Sequence, residues 1–245
     1  MSERARVLLV DDDPSVRRFV EMVLEDLDID LVLTAGVDEA IAVLRRAPVR
    51  ALLTDLMLPG RSGLDLLQQL ADEPSLRGQA RVIVLSAGLT QPMQQRLDAF
   101  DVWRRLIKPV SVAQLEACVR EAVASPGDGR RAGAAITPAT SPAVEVSAAE
   151  AAAISEHFAG DRALFIAFRD GSLPQVALDL LAGRQALAAG DLTALRHLAH
   201  NLKSVLTLLG RGDAAGIART LEQALAEGAG ANAPDLWQQL HDSLG

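Results

Sequence analysis

The feature that most constrains the fold is an apolar run ending on a single carboxylate, ALLTDLMLPG at residues 51–60. A short apolar run followed directly by a Pro-Gly turn signal indicates a buried strand. Asp55, the last side chain of that strand, is therefore expected at the carboxyl edge of a sheet, where open α/β sheets bind ligands. A lone Asp at such a place is most often a solvated strand end, so the function of Asp55 depends on its partners.

The first half of the chain alternates predicted strands with predicted helices. The strands are expected at residues 6–10, 29–34, 51–55, 81–86 and 103–107, and a helix follows each of them. This alternation predicts a doubly wound α/β domain with a five-stranded parallel sheet and helices on both faces. Four of the strands then deliver polar side chains to one edge of that sheet: Asp11, Asp12, Asp55, Ser86 and Lys108.

These side chains suit phosphoryl chemistry. Asp55 is the candidate nucleophile. We expect Ser86 to donate a hydrogen bond to one phosphoryl oxygen and Lys108 to neutralise another. Phosphoryl transfer depends mainly on in-line positioning and on charge neutralisation, and these groups supply both.

The acids of the same edge predict a magnesium site. Mg²⁺ takes one or two carboxylates together with water and phosphate oxygens. We expect its ligands from Asp11, Asp12, Asp55 and the backbone carbonyl near Met57. The alternative for the acids at 11–13 is a solvated turn that caps the following helix.

Lysine is rare in this chain: of 24 basic residues 22 are Arg, and only Lys108 and Lys203 are Lys. Lysine is a compact point charge on a flexible stem, whereas arginine is a planar fork. Both lysines fall in the two candidate sites, which indicates that each site needs a point charge.

The segment from Val7 to about Val123 closely resembles the receiver domains of two-component response regulators. The motifs that carry the resemblance are VDDDP at 10–14, TDLMLPGRSG at 54–63, LSA at 85–87 and KP at 108–109. The resemblance implies a flavodoxin-like strand order 2-1-3-4-5 and phosphorylation of Asp55. Three residues before its lysine the family usually has an aromatic that turns inward on activation. Arg105 stands there, so we expect no such switch, and Trp103 is expected in the core.

The second half predicts a separate all-α domain. Residues 125–146 contain three Pro and three Gly with no apolar period, which predicts a flexible linker. Beyond it, SAAE at 147–150 is a capping box that opens a short helix. Asp161 caps a further segment, Pro174 is expected early in a helix that ends at Ala189, and helices follow at 192–209, 213–227 and 234–244, with short turns between them. Short turns predict antiparallel neighbours and a helical bundle.

The helix predicted at residues 192–209 carries a second candidate site. His200, Lys203, Ser204 and Thr207 are spaced so that they lie side by side on one face. An imidazole beside an ammonium is a poor metal site but a good phosphoryl site, because the neutral ring attacks and the cation steadies the transferred group. The alternative is a solvated helix face, and His197 is the second candidate for the reactive histidine.

The stretch LAHNLKS at 198–204, with Gly210 ten residues after His200, resembles histidine phosphotransfer (HPt) domains. The resemblance covers about residues 148–244 and implies a four-helix bundle with His200 as the phosphotransfer residue and Lys203 beside it. Ser204 stands where the family often has Gly. The sequence contains no glycine-rich ATP lid, so we expect the chain to have no kinase domain of its own.

Composition and charge exclude several function classes. The net charge of −8 argues against a nucleic-acid footprint. No apolar stretch approaches the roughly 20 residues of a membrane span, and the N-terminus is unlike a signal peptide. The single cysteine, Cys118, is typical of a reducing cytosol, so we expect a cytoplasmic protein without membrane insertion.

These observations predict a phosphorelay intermediary with a receiver domain at 1–124, a linker at 125–146 and a phosphotransfer domain at 147–245. An upstream sensor histidine kinase would charge Asp55, and His200 would exchange phosphate with a downstream response regulator receiver or in cis. Two alternatives remain open. The chain could be a phosphate sink that drains a partner receiver, or a non-catalytic receiver-type docking module.

Overall fold

The computed structural model describes residues 4–86, 91–124 and 146–244. These residues fall into two compact units, one on each side of residues 125–145, and each unit is described by itself. Most of the predicted linker at 125–146 therefore lies outside the described residues, as does Ala87 of the LSA motif.

The first unit contains a five-stranded parallel sheet in the order 2-1-3-4-5, which confirms the predicted α/β fold. The strands are β1 Ala5–Val10, β2 Ile29–Thr34, β3 Ala51–Asp55, β4 Arg81–Ser86 and β5 Arg104–Ile107. All five residues of β3 are buried, because β3 lies between β1 and β4 with helices covering both faces. The strand that ends on Asp55 is therefore the central strand of the sheet.

Within the described residues of this unit, six helices accompany the sheet, one more than predicted. They are α1 Pro14–Leu24, α2 Val37–Arg46, α3 Gly63–Asp72, α4 Pro74–Arg77, α5 Gln91–Leu97 and α6 Val112–Val123. The additional helix, α4, is a single turn that Pro74 opens directly after α3. Helix α5 ends at Leu97, and β5 begins at Arg104, one residue later than predicted.

The second unit is helical: α7 Ala148–His157, α8 Arg162–Ala189, α9 Leu192–Leu208, α10 Gly212–Ala226 and α11 Ala233–Asp242. Helices α8 to α11 pack in a ring, each against the next and α11 against α8, which gives the predicted four-helix bundle. The capping box of Ser147 and Glu150 is confirmed at the start of α7. None of the described helices is both long and apolar enough to cross a membrane.

The prediction of a helix beginning near Pro174 is wrong. Helix α8 is continuous for 28 residues, with Pro174 inside it. A proline removes one hydrogen bond of the ladder, and that loss is outweighed by the packing of the apolar face on both sides of it. Phe165, Phe168 and Val176, which bracket the proline, are all buried.

Candidate functional site

The carboxyl edge of the sheet brings the predicted acids and the lysine of the first unit together. Asp11 follows β1, Asp55 ends β3, and Lys108 follows β5. Lys108 Nζ donates to Asp11 Oδ2 at 2.6 Å and to Asp55 Oδ2 at 2.5 Å. All three side chains are buried, so one ammonium joins residues that are far apart in the sequence.

The electrostatics of this cluster follow from its burial. Desolvation is the largest effect on Asp11, and together with the neighbouring Asp55 it raises the pKa of Asp11 to about 6 against the opposing effect of Lys108. For Lys108, burial lowers the pKa, but the carboxylates of Asp11 and Asp55 outweigh burial and raise it well above its usual value. The ammonium therefore stays charged throughout the physiological pH range.

Backbone contacts hold Asp55 in place. The amide of Met57 donates to Asp55 Oδ1 at 3.1 Å. Gly63, the first residue of α3, packs so closely on the Asp55 backbone that a Cβ there would lie 2.0 Å from the Asp55 carbonyl oxygen. The Ser62 capping box with Asp65 fixes the start of the same helix. The conformation of the loop after β3 thus depends on glycine at position 63.

Ser86 is the remaining residue predicted at this edge, and Arg105 and Trp103 lie on or next to β5. Ser86 is buried at the end of β4, and its carbonyl accepts from the amide of Lys108 at 2.7 Å, which sets the lysine beside the serine. Arg105 projects from β5 and pairs with Asp98 at 2.7 Å. Trp103 is only half-buried, contrary to the prediction of a core residue, and the guanidinium groups of Arg81 and Arg104 lie over its ring.

The donor set at this edge fits a hard divalent cation. Asp11 and Asp55 together carry two negative charges against the single positive charge of Lys108, and Asp12 adds a further carboxylate. Oxygen donors and excess negative charge are what Mg²⁺ requires, and one or two carboxylates suffice because water completes its shell. Across the described ranges, no group of three or more His, Cys, Asp or Glu could hold a metal ion, so a cation here would take one or two of these carboxylates and complete its shell with other oxygen donors.

The second candidate site lies on α9, where His200 and Lys203 share one face, as the spacing predicts. Both side chains and that of Ser204 are buried, so the alternative of a solvated helix face is wrong. Thr207 donates through its hydroxyl to the Lys203 carbonyl at 2.8 Å, so it stabilises the helix locally. His197, one turn before His200, is half-buried.

The residue that sequence reasoning missed at this site is Glu222 of α10. Its Oε1 lies 2.7 Å from Nδ1 of His200, and its Oε2 accepts a short hydrogen bond from Nζ of Lys203. Burial raises the pKa of Glu222, but the hydrogen bonds and charges of His200 and Lys203 outweigh burial and lower that pKa to about 2. Glu222 is therefore an ionised carboxylate that contacts both predicted site residues.

Nothing local in the sequence distinguishes Glu222 from Asp213, the other acid of α10. It stands 22 residues after His200, and only the antiparallel packing of α9 against α10 brings the two together. A search for an acid on the neighbouring helix, at the same height as His200, is the signal that could have found it.

Comparison with known proteins supports both halves of the interpretation. A family model for the response regulator receiver domain matches residues 7–120, and one for the Hpt domain matches residues 173–245. The Hpt match begins inside α8, so α7 and the first part of α8 lie before it.

Similar curated proteins include the response regulator PilR of Pseudomonas aeruginosa, 32% identical over 120 residues, which are 49% of this chain and 26% of PilR. The response regulator Rre1 of Synechocystis is 34% identical over 129 residues, 51% of this chain and 54% of Rre1. The chain thus spans about a quarter and about half of these relatives.

Among solved structures, a response regulator receiver protein from Pseudomonas putida is 28% identical with a TM-score of 0.46, and the match covers 49% of this chain and 99% of that one. The family matches and the strand order agree on the first unit, and the second family match falls within the helical unit. The chain combines a response regulator receiver domain at residues 7–120 with an Hpt domain at residues 173–245, the domain types of two-component phosphorelays.

Proposed function

We propose that this chain is a phosphorelay intermediary, in which Asp55 accepts a phosphoryl group from a phosphohistidine donor and His200 exchanges phosphoryl with a receiver aspartate. The observation that carries the proposal is the ammonium of Lys108, which bridges the buried carboxylates of Asp11 and Asp55. A cation placed on the candidate nucleophile is the arrangement that phosphoryl transfer needs, and the Hpt domain in the same chain supplies the complementary residue type.

At Asp55 the proposed step is an in-line displacement. One carboxylate oxygen attacks phosphorus, the new O–P bond forms as the P–N bond to the donor imidazole breaks, and the bonding pair returns to that ring. Lys108 lies on Oδ2 of Asp55 and would neutralise the charge that arrives with the phosphoryl group. Ser86, fixed beside Lys108 through its backbone, would donate to a phosphoryl oxygen.

Mg²⁺ is the expected cofactor of the Asp55 site. Receiver domains of this type generally bind it. In this chain Asp11, Asp12, Asp55 and the Met57 carbonyl would hold it, and bound Mg²⁺ would offset negative charge on the phosphoryl oxygens. The domain limits 1–124 and 147–245, and a cytoplasmic location in which a sensor histidine kinase and a partner receiver are available, belong to the same proposal.

Charging with a small-molecule phosphodonor in the presence of Mg²⁺ tests the Asp55 assignment. We expect one phosphate per chain with the acid-stable, base-labile character of an acyl phosphate, and none in Asp55→Asn. Asp72→Asn, which removes an exposed carboxylate of α3, is the matched control and should be labelled like wild type. Undiminished labelling of Asp55→Asn would refute the assignment, and no labelling of wild type would favour a docking module.

A further inference from the structure

Helix α8 carries an apolar face that the bundle leaves exposed. Within the described residues five large hydrophobic side chains are exposed, and three of them lie on this one helix. They are Leu173, Leu178 and Leu181, with exposed fractions of 46%, 58% and 51%. A single exposed leucine is ordinary, but a cluster along one helix forms a patch, and such patches on soluble domains mark interaction surfaces.

The exposed face is arranged symmetrically about Ala177. Leu173 and Leu181 lie four residues before and after it, and Asp170 and Arg184 lie seven residues before and after it. Steps of four and seven residues return to the same side of an α-helix, so these five residues form one stripe, and all five are exposed. The stripe therefore has a small residue at its centre, a leucine on either side and opposite charges at its two ends.

A stripe with this symmetry is complementary to a second copy of itself. When two α8 helices pack antiparallel about a two-fold axis at Ala177, each residue meets the one at the same distance on the other side of the axis. Leu173 then lies against Leu181 of the second copy, and Asp170 lies opposite Arg184 of the second copy. Because the side chains at the axis are those of alanine, the two helices can approach closely.

The charges at the two ends favour the antiparallel register. A parallel pair would place Asp170 opposite Asp170 and Arg184 opposite Arg184, and like charges repel. Within the described part of the chain Arg184 forms no ion pair with an acid, and its guanidinium contacts Nε2 of His241 at 3.0 Å. Asp170 pairs with the adjacent Arg169 through Oδ1 at 3.1 Å. The guanidinium at one end and Oδ2 at the other are thus left for a second copy.

We propose that this stripe is a self-association surface, on which two copies of the chain pack α8 against α8, antiparallel, about a two-fold axis at Ala177. The apolar centre and charged rim are the usual anatomy of a protein interface. The leucines supply the buried apolar area, and the rim charges fix the register. This inference goes beyond the proposed transfer of phosphate and does not depend on it.

Sedimentation equilibrium of the unphosphorylated full chain, at a series of concentrations, tests the proposal. We expect a monomer–dimer equilibrium in wild type and only monomer in Leu181→Glu, which places an acid in the apolar centre. Asp170→Arg and Arg184→Asp should each weaken the dimer roughly 10- to 100-fold, because each places like charges opposite one another. The two single variants mixed in equal amounts should associate like wild type, since every pair then has opposite signs. Glu227→Arg, a charge reversal at an exposed position after α10, is the matched control and should dimerise normally.

A disulfide at the axis tests the two-fold geometry. Only the residue on the axis meets its own counterpart in an antiparallel pair, so Ala177→Cys should form a chain-to-chain disulfide in oxidised glutathione. Ala188→Cys, exposed on the same helix but away from the axis, is the matched control and should stay uncross-linked on a non-reducing gel. Wild type should stay uncross-linked as well, because Cys118 is buried.

Three results would overturn the proposal. Wild type could be monomeric at every concentration, the dimer could be unaffected by Leu181→Glu, or the mixed charge variants could fail to recover affinity. The second result would place the contact on another surface of the chain. A monomeric wild type in which Leu181→Glu also abolishes phosphoryl exchange with a partner receiver would assign the stripe to that receiver instead of a second copy. Circular dichroism of each variant shows that the bundle is folded.

Discussion

Each candidate site contains a buried lysine, a carboxylate and a proposed phosphoryl acceptor, but the arrangement of the three differs. In the receiver domain, Lys108 donates directly to Asp55, the proposed acceptor of the phosphoryl group. In the Hpt domain, Lys203 donates to Glu222, and Glu222 contacts the proposed acceptor His200. The lysine therefore acts on the acceptor directly at one site and through an intervening carboxylate at the other.

This difference follows from the chemistry of the two acceptors. Asp55 is an anion before transfer and gains further negative charge with the phosphoryl group, so a cation in contact with it helps throughout. In the proposed step His200 attacks as a neutral ring and becomes cationic, so an anion in contact with it helps, and the lysine is needed mainly to balance that anion. An acceptor's charge thus determines which partner lies next to it.

Removing each lysine is the strongest way to break the comparison. Lys108→Met should reduce labelling of Asp55 by a small-molecule phosphodonor by at least roughly 100-fold, because a buried donor on the nucleophile is lost. Lys203→Met should reduce transfer to His200 from a phosphorylated receiver by only about 10-fold, because Glu222 still contacts the ring. Initial rates of labelling measure both, and equal losses at the two sites would contradict the distinction.

The two sites should respond to acid in opposite directions. The pKa of Asp11 is raised to about 6, so its contribution to stability is present below its unfolded pKa of 3.8 and is lost as pH rises through about 6. The pKa of Glu222 is lowered to about 2, so its contribution is present above its unfolded pKa of 4.5 and is lost as pH falls through about 2. That loss amounts to about 3 kcal/mol.

Each unit contains one of the two tryptophans, which makes this prediction measurable. In Trp103→Phe, the emission of Trp237 reports unfolding of the bundle. In Trp237→Phe, the emission of Trp103 reports unfolding of the receiver. Both variants are measured with a metal chelator in the buffer. Between pH 7 and 5, only the free energy of unfolding of the receiver should increase. Between pH 4.5 and 2, the free energy of unfolding of the bundle should fall less in Glu222→Gln than in the chain that keeps Glu222. A bundle that is equally acid-sensitive with and without Glu222 would disprove this explanation.

Two glycine substitutions compare the constraint at the Asp55 site with a surface of the bundle. Gly63→Ala should cost about 1–3 kcal/mol and slow labelling of Asp55, because the new Cβ would overlap the Asp55 carbonyl. Gly216→Ala, on an exposed part of α10 with no atom near its Cβ, should instead stabilise by about 0.5–1 kcal/mol. Denaturant unfolding measures both, and a tolerated Gly63→Ala would refute the close approach.

The smallest effect is expected at Arg105. Its ion pair with Asp98 is partly exposed, so Arg105→Ala should change stability by less than about 1 kcal/mol. Because an arginine stands in place of the aromatic, we also expect a phosphoryl mimic to change amide chemical shifts mainly around Asp55. Large shift changes confined to residues 103–115 would show that the last strand transmits the signal after all.

The sequence predicted those parts of the molecule that depend on local patterns. Five apolar runs with polar ends were sufficient for the sheet and for Asp55, Ser86 and Lys108 at its edge, because parallel strands align their carboxyl ends. Helical spacing was sufficient to place His200 beside Lys203. The uninterrupted α8 was missed because proline's local preference was outweighed by packing, and Glu222 was missed because helix pairing is not a local pattern.

If the chain is a phosphorelay intermediary, phosphate that enters at Asp55 should pass on to His200, so that the two residues act in series. A label chase tests this most directly. A cognate kinase, phosphorylated on its own histidine with labelled phosphate, is mixed with the full chain in Mg²⁺ and no other receiver. Wild type should carry base-labile label on Asp55 first and acid-labile label on His200 later. In His200→Gln the label should stay on Asp55, and His197→Gln should behave as wild type. Asp55→Asn should carry no label on either residue, and label reaching His200 in that variant would contradict the account.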